Sequence, residues 1–507
     1  MALAQTSSVS LTGLTGNLID VEVDISDGLP SYILLGLPDA ALSESKERVR
    51  AALVNSGEAW PNKKVTVSLS PAWLPKSGSS FDLPIAITLL MAQGQVPKDQ
   101  PGECIYLGEL SLDGQLREVH GVLPALLAAK KSGFIRALVP YENYQEAKCV
   151  SGVEVIAIRH LTNALAYLRS GQIPDSPQLF SSSSSDYLLD LCDVAGQVAA
   201  RRALEVAAIG GHHLLFIGPP GTGKTMLAER IPSILPPLSE ESILEVTAIH
   251  SIAGTLMGRE LLSKLPPFVA PHHTTTAPAM IGGGAHAIRP GATSLAHEGV
   301  LFIDEAPECG RGVLDSLRQP LESGEVTISR AVGSVTYPAR FMLVLAANPC
   351  PCGRFSGRGR SCTCTQVAIR RYLQRLSGPL LDRIDIRVFI DSPSRIEMAS
   401  EELGESSATV RERVIAARAI ADDRFAGCSW RVNSQIPPSQ LRNRFRAEKS
   451  GMNFLHTELD KERLSARGFH KVLRISWSIA DSRGHAIPTK EDVELALRLR
   501  EGMELLA

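Results

Sequence analysis

The chain has 507 residues, of which 44% are hydrophobic and 5% aromatic, and its formal net charge is −2. This length accommodates about three domains. The near-neutral charge excludes a global field for nucleic acid, so any contact with a polyanion must come from local patches. The longest apolar runs fall short of the ~20 residues that span a bilayer. The first residues lack the basic and apolar segments of a signal peptide. We therefore expect a cytoplasmic protein that does not bind membranes.

Residues 1–170 are expected to form one α/β domain. Period-two alternation of apolar and polar residues predicts strands, and apolar residues at helical spacing predict helices. The predicted strands are residues 18–25, 64–70 and 136–140, and the predicted helices are residues 43–56, 81–91 and 122–131. Taken alone, these patterns are typical of a scaffold or a partner-docking module.

A serine-rich stretch follows this domain. Residues 171–187 contain the run Ser181–Ser185, which is too small and too polar to build a core. Such composition predicts a flexible linker. Beyond it we expect a second α/β domain over residues 188–394 and a helical domain over residues 395–507.

The second domain is expected to begin with a helix over residues 193–209. A glycine-rich turn follows, between an apolar run at residues 214–217 and a helix predicted at residues 226–231. The turn matches the phosphate-loop pattern G-x-x-x-x-G-K-[ST]. Its residues are Gly218, Pro219, Pro220, Gly221, Thr222, Gly223, Lys224 and Thr225. Glycines let backbone N–H groups turn towards phosphates, and a following helix adds the positive end of its dipole. The sequence therefore predicts bound ATP, with Lys224 on its β- and γ-phosphates and Thr225 on Mg²⁺.

Two further apolar runs end in polar side chains. Residues 300–303 lead into Asp304 and Glu305, and residues 341–347 lead into Asn348. Such runs are typical of parallel strands buried on both faces, and ligands of open α/β sheets bind at the carboxyl ends of these strands. We expect Asp304 to hold the Mg²⁺ shell, Glu305 to polarise the attacking water, and Asn348 to orient that water.

Residues 325–340 alternate in polarity, which predicts a β-hairpin. The alternation breaks at Gly333-Ser334, so the turn is expected there, with Arg330 near the tip. Upstream, His272 and His273 belong to an irregular glycine-rich insert. They are adjacent and lack a nearby cysteine or second close pair, so we expect loop hydrogen bonds rather than metal ligation.

Four cysteines follow Asn348 in two close pairs: Cys350, Cys352, Cys362 and Cys364. Four thiolates can enclose a tetrahedral Zn²⁺, although these one-residue spacers are tighter than the common two-residue knuckle. Redox-inert loop cysteines and a disulfide are the alternatives. Residues 353–381 carry six arginines and no acidic residue. The arginines of residues 354–375 are therefore expected either on a solvated face or in contact with phosphates.

The last hundred residues are predicted to be helical. Residues 410–425 and 464–481 are amphipathic, and the second segment carries Arg467, Lys471 and Arg474 on one helical face. A surface stripe and a face turned towards phosphates are both compatible with this spacing.

These motifs together resemble a known family. The segments Gly218–Thr225, Val300–Glu305, Ala346–Gly353 and Leu380–Arg383 are similar to those of magnesium-chelatase-like AAA+ ATPases of the YifB/ComM type. The resemblance covers essentially the whole chain. It implies an α/β fold with a Lon-protease-like front domain, a phosphate-loop AAA+ core and a helical lid of the magnesium-chelatase C-terminal type.

The resemblance also implies partners and further site residues. It implies a hexameric ring with a site at each interface, where Arg383 acts in trans as the arginine finger. Arg467 matches the second sensor arginine, with Arg474 as a competing assignment. The hairpin at 325–340 resembles the pore hairpin of related ring helicases.

The studied members of this family are competence proteins that act as DNA helicases in branch migration. We therefore expect DNA contacts through Arg330 of the hairpin and through the arginines of 354–375. The alternative is the activity of related ATPases that drive metal insertion into porphyrins, or remodelling of a protein partner without DNA.

A third hypothesis, proteolysis, follows from the Lon-like segment at residues 75–82. Lon-type proteases use a Ser–Lys dyad, and Ser80 falls near the position of their nucleophile. Leu123 occupies the position expected for the lysine, and leucine cannot accept a proton or activate a serine. We expect the fold of this family without its proteolytic chemistry.

Overall fold

The computed structural model describes most of the chain. The described residues are 2–36, 39–74, 76, 78–98, 103–177, 189–256, 262–284, 288–330, 333–355, 362–391 and 404–502. Most of the predicted linker, Arg358, Arg360 and the predicted boundary near residue 394 lie outside them.

The described residues form three units: a front unit, a parallel-sheet unit and a C-terminal lid. Strands and helices alternate through the first two, and the lid is helical in its described residues. The strands are β1 (Ala2–Thr12), β2 (Thr15–Ser26), β3 (Ser31–Leu35), β4 (Lys64–Ser70), β5 (Cys104–Tyr106), β6 (Glu109–Leu110), β7 (Leu116–Arg117), β8 (Arg136–Pro140), β9 (Glu154–Ile158), β10 (Leu214–Ile217), β11 (Phe268–Val269), β12 (Gly282–Gly283), β13 (Arg289–Pro290), β14 (Val300–Ile303), β15 (Glu325–Arg330), β16 (Gly333–Pro338), β17 (Met342–Ala347) and β18 (Ile386–Phe389).

The helices are α1 (Ala40–Ser43), α2 (Ser45–Asn55), α3 (Asp82–Ala92), α4 (Val122–Lys131), α5 (Tyr144–Lys148), α6 (Leu161–Ser170), α7 (Val198–Gly210), α8 (Lys224–Glu229), α9 (Ile231–Ile234), α10 (Glu240–Ala253), α11 (Ala277–Ile281), α12 (Ala292–Leu295), α13 (Arg311–Ser316), α14 (Arg318–Ser323), α15 (Gln366–Leu373), α16 (Gly378–Leu381), α17 (Ser407–Arg424), α18 (Pro438–Asn443), α19 (Lys449–Asp460), α20 (Ala466–Arg483) and α21 (Lys490–Glu501). Short 3₁₀ helices occur at Tyr141–Asn143, Leu191–Asp193, Ala306–Glu308 and Asn433–Gln435.

The front unit is built on a mixed sheet with the strand order β3-β4-β2-β1-β5-β8-β9. Its strands β1 and β2 form a long antiparallel hairpin, and β5, β8 and β9 add in parallel. Val21 and Val23 of β2 are fully buried, because alternate residues of a strand point to the same face. Helices α2, α3 and α6 pack on one face of the sheet, and α4 and α5 on the other. The strands and helices predicted for this unit are confirmed.

Leu123 is a core residue of this unit. Its side chain is fully buried in α4, and its backbone N–H donates to the Glu146 carboxylate at 2.7 Å. An apolar side chain packed in this way offers no proton acceptor to Ser80.

A second, parallel sheet has the strand order β11-β14-β17-β10-β18. Its residues divide between two cores. Leu214 and Phe216 of β10 pack with α7 and the lid helices, whereas Leu215 faces the core formed with α11, α13 and α16. Because the strands are parallel, β10, β14 and β17 deliver Gly218, Asp304 and Asn348 to one edge of the sheet.

The hairpin β15–β16 forms a separate two-stranded sheet in this unit and carries its own small apolar cluster. The cluster contains Val326, Ile328, Val335 and Tyr337, and Leu14 of the front unit packs against it. The turn between β1 and β2 approaches so closely that a Cβ on Gly13 would lie 2.6 Å from Cγ1 of Val335. The front unit therefore contacts the hairpin directly.

The turn predicted at Gly333-Ser334 is wrong, because both residues belong to strand β16. In the observed register Arg330 pairs with Gly333, and Ser329 pairs with Ser334. The Ser329 and Ser334 hydroxyls lie 3.1 Å apart across the strands, so the break in polarity marks an exposed pair within the ladder. Residues 331–332, between the two strands, lie outside the described residues. Arg330 is the last residue of β15, near the tip of the hairpin as predicted.

The helices on either side of β10 differ from expectation at their ends. The helix predicted from residue 193 begins at Val198, because Gln197 takes a left-handed conformation with φ of 54°. The helix predicted at 226–231 begins at Lys224 and ends at Glu229, and α9 follows. Pro232 has no N–H to donate to the carbonyl four residues earlier, so one continuous helix is disfavoured.

The lid comprises α17 to α21 and shares a core with the parallel sheet. Helices α17 and α20 pack on α7, and α21 packs on β18. Helix α20 begins after Ser465, whose hydroxyl accepts from the Gly468 N–H at 3.1 Å, and ends at Gly484 with φ of 71°. This lid completes the predicted fold class, an α/β protein with a parallel-sheet core and a helical C-terminal unit. Among the described residues, no helix has the length and apolar character needed to cross a membrane.

Candidate nucleotide site

The phosphate loop leaves β10 in a conformation that depends on glycine. Gly221 and Gly223 have φ of 78° and 90°, which side chains with a Cβ rarely adopt. A Cβ on Gly218 would lie 2.2 Å from the carbonyl oxygen of Ile390. The loop therefore turns tightly, and α8 begins immediately after it at Lys224.

The Lys224 ammonium lies across the mouth of this loop. It donates to the carbonyl oxygens of Gly218 and Pro219 at 2.7 and 2.8 Å, and to Oδ1 of Asn348 at 3.2 Å. Burial lowers its pKa, although the nearby carboxylates oppose that shift. The parallel sheet thus brings Lys224 into direct contact with Asn348, the residue predicted to orient the attacking water.

Thr225 and Asp304 meet at the same edge of the sheet. The Thr225 hydroxyl donates to Oδ2 of Asp304 at 2.9 Å, and the N–H of Glu305 donates to Oδ1 of Asp304 at 2.8 Å. Neighbouring ligands of an octahedral Mg²⁺ with bonds of 2.0–2.1 Å lie roughly 2.9 Å apart. A hydroxyl and a carboxylate at this spacing fit the hard, all-oxygen ligand shell of Mg²⁺.

Glu305 adopts an unusual backbone conformation beside an unpredicted partner. Its φ is 48°, and its Oε2 lies 3.5 Å from Nδ1 of His273. His272 follows the expectation of a loop hydrogen bond, since its Nδ1 pairs with the Thr274 hydroxyl at 2.8 Å. The ring of His273 lies 4.0 Å from that of His272, centroid to centroid. The sequence interpretation missed the contact of His273 with the predicted catalytic carboxylate.

A second residue that the sequence interpretation missed is Gln197. It precedes α7, and its amide donates to the carbonyl oxygen of Asp391 at 2.6 Å and to that of Thr222 at 3.5 Å. Gln197 therefore ties the segment after β18 to the phosphate loop. The sequence carries no signal for this role, because residue 197 falls inside the helix predicted from residue 193.

The four cysteines predicted to bind a metal come together just after Asn348, beside the phosphate loop. Their sulfur atoms all lie within 4.8 Å of one another. Cys350 is buried, and Cys352, Cys362 and Cys364 are partly exposed. The described part of this loop therefore brings together all four thiols proposed as ligands.

Arg383 lies at the amino-terminal ends of the parallel strands, whereas the phosphate loop lies at their carboxyl ends. It precedes β18, and β18 runs parallel to β10 with Ile386 opposite Leu214. At 3.3 Å per residue, the strand separates Arg383 from the phosphate-loop edge by roughly 10 Å. The guanidinium donates to the Pro379 carbonyl oxygen at 2.7 Å and pairs with Glu322. Arg383 is therefore remote from the phosphate loop of its own chain.

The three cations predicted to share one face of α20 differ in how far each is exposed to solvent. Arg467 is 65% exposed and lies 3.4 Å from Asp382. Lys471 is buried and donates to Oδ1 of Asp385 at 2.5 Å. Arg474 donates twice to the Ile436 carbonyl oxygen, at 2.9 and 2.6 Å. The expectation of a continuous surface stripe is therefore wrong, because the core supplies partners for two of the three cations.

Arg467 and Arg383 lie at the same end of the parallel strands. Asp382 directly precedes Arg383 in the chain, and its carboxylate pairs with Arg467. Between them the core and the lid form an open cavity of about 1320 Å³, lined by both arginines together with Arg340, Glu322 and Lys471. The structure thus places two predicted hydrolysis residues at this cavity and the others at the phosphate loop.

The arginines predicted for DNA contact have different surroundings. Arg330 is exposed at the end of β15. Arg370 and Arg371 are exposed on α15. Arg375 pairs with Glu308 at 2.6 Å and donates to the Pro307 carbonyl oxygen, so it is held by its own chain.

Three family models match successive parts of the chain. The model described as subunit ChlI of Mg-chelatase matches residues 21–143. The model described as magnesium chelatase, subunit ChlI, matches residues 190–398, and the one described as magnesium chelatase, subunit ChlI C-terminal, matches residues 404–500. The three matches span the front unit, the parallel-sheet unit and the lid.

Relatives match over essentially the full chain. An uncharacterised protein of Mycobacterium tuberculosis is 47% identical over 501 residues, covering 99% of each chain. Competence protein ComM of Haemophilus influenzae is 40% identical over 512 residues, covering 100% of this chain and 99% of the relative. YifB of Escherichia coli is 41% identical over 501 residues, covering 99% of this chain and 97% of the relative.

A shorter stretch of 96 residues, 19% of this chain, is 33% identical to 17% of Lon protease 2 of Bacillus subtilis. This local similarity is consistent with the expected Lon-like fold. The family matches and the full-length identities confirm the family expected from the motifs. The chain belongs to the magnesium-chelatase AAA+ ATPases, in the group that contains YifB and ComM.

Proposed function

We propose that this ATPase works as a ring of identical subunits that hydrolyse ATP at their interfaces and use the energy to translocate on DNA. The observation that carries the ring is the position of Arg383 and Arg467, at the edge of the sheet remote from the phosphate loop of the same chain. A site that needs both sets of residues is then completed by a neighbour.

Within one subunit, the residues at the phosphate-loop edge have complementary roles. Bound ATP supplies the phosphoryl group, and Mg²⁺ neutralises charge that develops on it. Lys224 holds the β- and γ-phosphates, and Thr225 and Asp304 hold the ion. Glu305 accepts a hydrogen bond from the attacking water and polarises it, and the Asn348 amide fixes its direction.

Arg383 and Arg467 act on the nucleotide of the adjacent subunit. An arginine finger stabilises charge on the transferred phosphoryl group and contributes about 10³- to 10⁵-fold to turnover. Arg383 is paired with Glu322 in its own chain, so assembly exchanges that carboxylate for the neighbour's phosphate. The exposure of Arg467 supports its assignment as second sensor over Arg474, which is committed to a backbone carbonyl.

Direct mutants test this division of roles. Lys224→Ala should lose tight ATP binding, whereas Glu305→Gln should bind ATP without hydrolysing it. Arg383→Ala should assemble without turnover. Mixing the Glu305→Gln and Arg383→Ala proteins should restore part of the activity, since some interfaces regain every group. A mixture as inactive as its components would contradict the shared site.

DNA is the substrate we propose because Arg330 is exposed at the end of hairpin strand β15 and Arg370 and Arg371 are exposed on α15. Cationic side chains that contact phosphates give salt-sensitive binding that does not depend on sequence. The Haemophilus relative is named a competence protein, and we extend a DNA-related role to this chain on that basis.

The deciding experiment measures ATP turnover with and without forked or single-stranded DNA over a range of salt concentrations. We expect DNA to stimulate turnover and Arg330→Ala to reduce the stimulation. Arg136→Ala, a surface arginine of the front unit paired with Glu154, is the matched control. No stimulation and no salt-sensitive binding would rule out DNA as the substrate.

A second candidate is a chelatase-type or protein-remodelling ATPase that does not act on DNA. It is favoured by the family models, each of which is described by a magnesium-chelatase subunit. This candidate predicts stimulation of turnover by a protein partner and indifference to DNA in the same assay.

We also propose that Cys350, Cys352, Cys362 and Cys364 bind Zn²⁺, as their spacing predicts.

A further inference from the structure

The sulfur atoms of the cysteine cluster are spaced as a tetrahedral metal requires. Cys350 lies 3.3 Å from Cys352 and 3.7 Å from Cys362, and Cys352 lies 3.7 Å from Cys362. Four sulfurs at 2.3 Å from a central Zn²⁺ would lie about 3.8 Å apart. Cys364 completes the set, since all four sulfurs lie within 4.8 Å of one another.

The first arm of the cluster is continuous with the nucleotide site. Cys350 is two residues beyond Asn348, and the N–H of Gly353 donates to the Cys350 carbonyl oxygen at 2.9 Å. This turn presses on the phosphate loop. A Cβ on Gly353 would lie 2.6 Å from Cδ of Pro220 and 4.0 Å from Cγ of Asn348.

The second arm returns to the same asparagine from the other side. Cys364 is followed by Thr365, which caps α15 by accepting from the Ala368 N–H at 3.2 Å. Near the end of this helix, Tyr372 is buried, and burial raises the pKa of its phenol to about 12, an effect that the neighbouring backbone of Asn348 opposes. The two halves of the cysteine loop therefore both lead to Asn348: Cys350 follows it closely in the chain, and Tyr372 of α15 lies beside its backbone.

We propose that a zinc ion held by the four cysteines positions Asn348 and the phosphate loop relative to each other, and so sets the rate of the hydrolysis step. This role rests on the proposed hydrolysis at the phosphate-loop edge. Tetrahedral thiolate sites are structural, with every ligand position filled by protein. The ion therefore does not act on the nucleotide, and Asn348 is the group through which it acts.

A positioning role makes a specific kinetic prediction. ATP binding depends mainly on Lys224 and the loop backbone, which do not belong to the cluster. Hydrolysis depends on the exact placement of the water-orienting amide, and a displacement of 1 Å at a reacting group costs about 100-fold. Loss of zinc should therefore lower kcat while leaving the dissociation constant of ATP unchanged.

The test uses the full chain with Cys352→Ser and Cys364→Ser, which alter partly exposed ligands, and Cys428→Ser as a control outside the cluster. Zinc is measured by release to a chromogenic chelator, ATP binding with a fluorescent nucleotide, and turnover under saturating ATP. We expect stoichiometric zinc in the native protein and in the control. The two ligand variants should lose zinc, retain ATP affinity and turn over roughly 10- to 100-fold more slowly.

A second variant separates positioning from metal loss. Gly353→Ala should retain zinc, because all four thiols remain, but its methyl group displaces Pro220 and should lower kcat. Three results would overturn the proposal: native protein without zinc, zinc-free variants with native kcat, or variants that lose ATP binding together with turnover. Native protein that binds zinc but does not hydrolyse ATP would instead contradict the proposed function.

Discussion

Lys471 of the lid donates to Oδ1 of Asp385 at 2.5 Å and to the carbonyl oxygen of Arg383 at 2.8 Å. Although burial alone would raise it, the Lys471 ammonium holds the pKa of Asp385 well below its usual range. One buried side chain thus fixes the backbone of the proposed arginine finger. Arg467, one helical turn before Lys471, is fixed by the same helix.

Replacing Lys471 should separate stability from catalysis. Lys471→Met takes the ammonium away from the buried Asp385 carboxylate, which retains the His213 N–H as a donor at 3.0 Å. Loss of the charged partner costs about 3–5 kcal/mol. The double variant Lys471→Met/Asp385→Leu removes both charges and should recover much of that stability, as measured by thermal melting. It should still turn over roughly 10- to 100-fold more slowly, because the Arg383 backbone has lost its anchor.

The mixing assay provides the control for this variant. Subunits with Glu305→Gln contribute an intact Arg383, so they should restore turnover to double-mutant subunits. Lys461→Met, at a half-exposed lysine paired with Glu458, should change neither quantity. Native turnover in the double variant would contradict the anchoring role of Lys471.

His273 should influence the activity of Glu305. Its ring is 3.5 Å from the carboxylate, close enough to hold that side chain in one orientation. We expect His273→Ala to lower kcat by roughly 10-fold, with ATP binding retained. His273→Asn, which keeps a polar group near the same place, should lie between the alanine variant and the native protein. His272→Ala is the matched control, since His272 pairs with Thr274 instead.

The front unit depends on one buried ion pair. Arg48 donates to both carboxylate oxygens of Asp82, at 2.7 and 3.0 Å, and the Asp82 side chain is fully buried. Arg48→Met should destabilise this unit by about 3–5 kcal/mol, because the buried carboxylate loses its cationic partner and retains the weaker hydrogen bond from the Leu110 N–H at 3.3 Å. Arg136→Met breaks an exposed pair with Glu154 and should cost less than about 1 kcal/mol. Denaturant unfolding of the two variants beside the native protein compares these costs.

His213 should make the parallel-sheet unit sensitive to acid. Burial lowers its pKa to about 4, and its Nδ1 accepts from the Leu343 N–H at 3.1 Å. Between pH 4 and the ordinary value of 6.5, the unfolded chain binds a proton that the folded chain excludes. Stability should therefore be fully present above pH 6.5 and fall as the pH drops towards 4, by about 3 kcal/mol.

The melting temperature measured from pH 7.5 to 4.5 tests this expectation. His213→Asn offers an amide oxygen to Leu343 but does not titrate in this range. Its melting temperature should therefore fall less steeply over the interval. Parallel curves for the two proteins would assign the acid sensitivity to other groups.

Sequence patterns predicted the elements whose signals are local. The alternation of β2 and the apolar run of β10 reflect burial that each strand imposes on its own residues, and the phosphate loop has a fixed spacing. The end of α8 was predictable in principle from Pro232. The turn of the hairpin was misplaced because an exposed Ser329–Ser334 pair resembles a turn in composition.

Contacts between distant segments carried no local signal. The proximity of His273 to Glu305 arises where an irregular insert passes the end of β14. The inward position of Lys471 depends on Asp385, an acidic residue between two isoleucines. That pattern could have indicated a buried charge, but the sequence does not show which cation neutralises it.

The contact of Gly13 and Leu14 with Val335 has a consequence for how this chain can be divided. A fragment that begins after the linker would lose Leu14 and so expose the apolar cluster of the hairpin to solvent. It would also leave the Ser251 hydroxyl without the Glu146 carboxylate to which it donates in the intact chain. The front unit is therefore not an interchangeable attachment. Chimaeras that exchange it between relatives should function only when the β1–β2 turn and the hairpin come from the same parent.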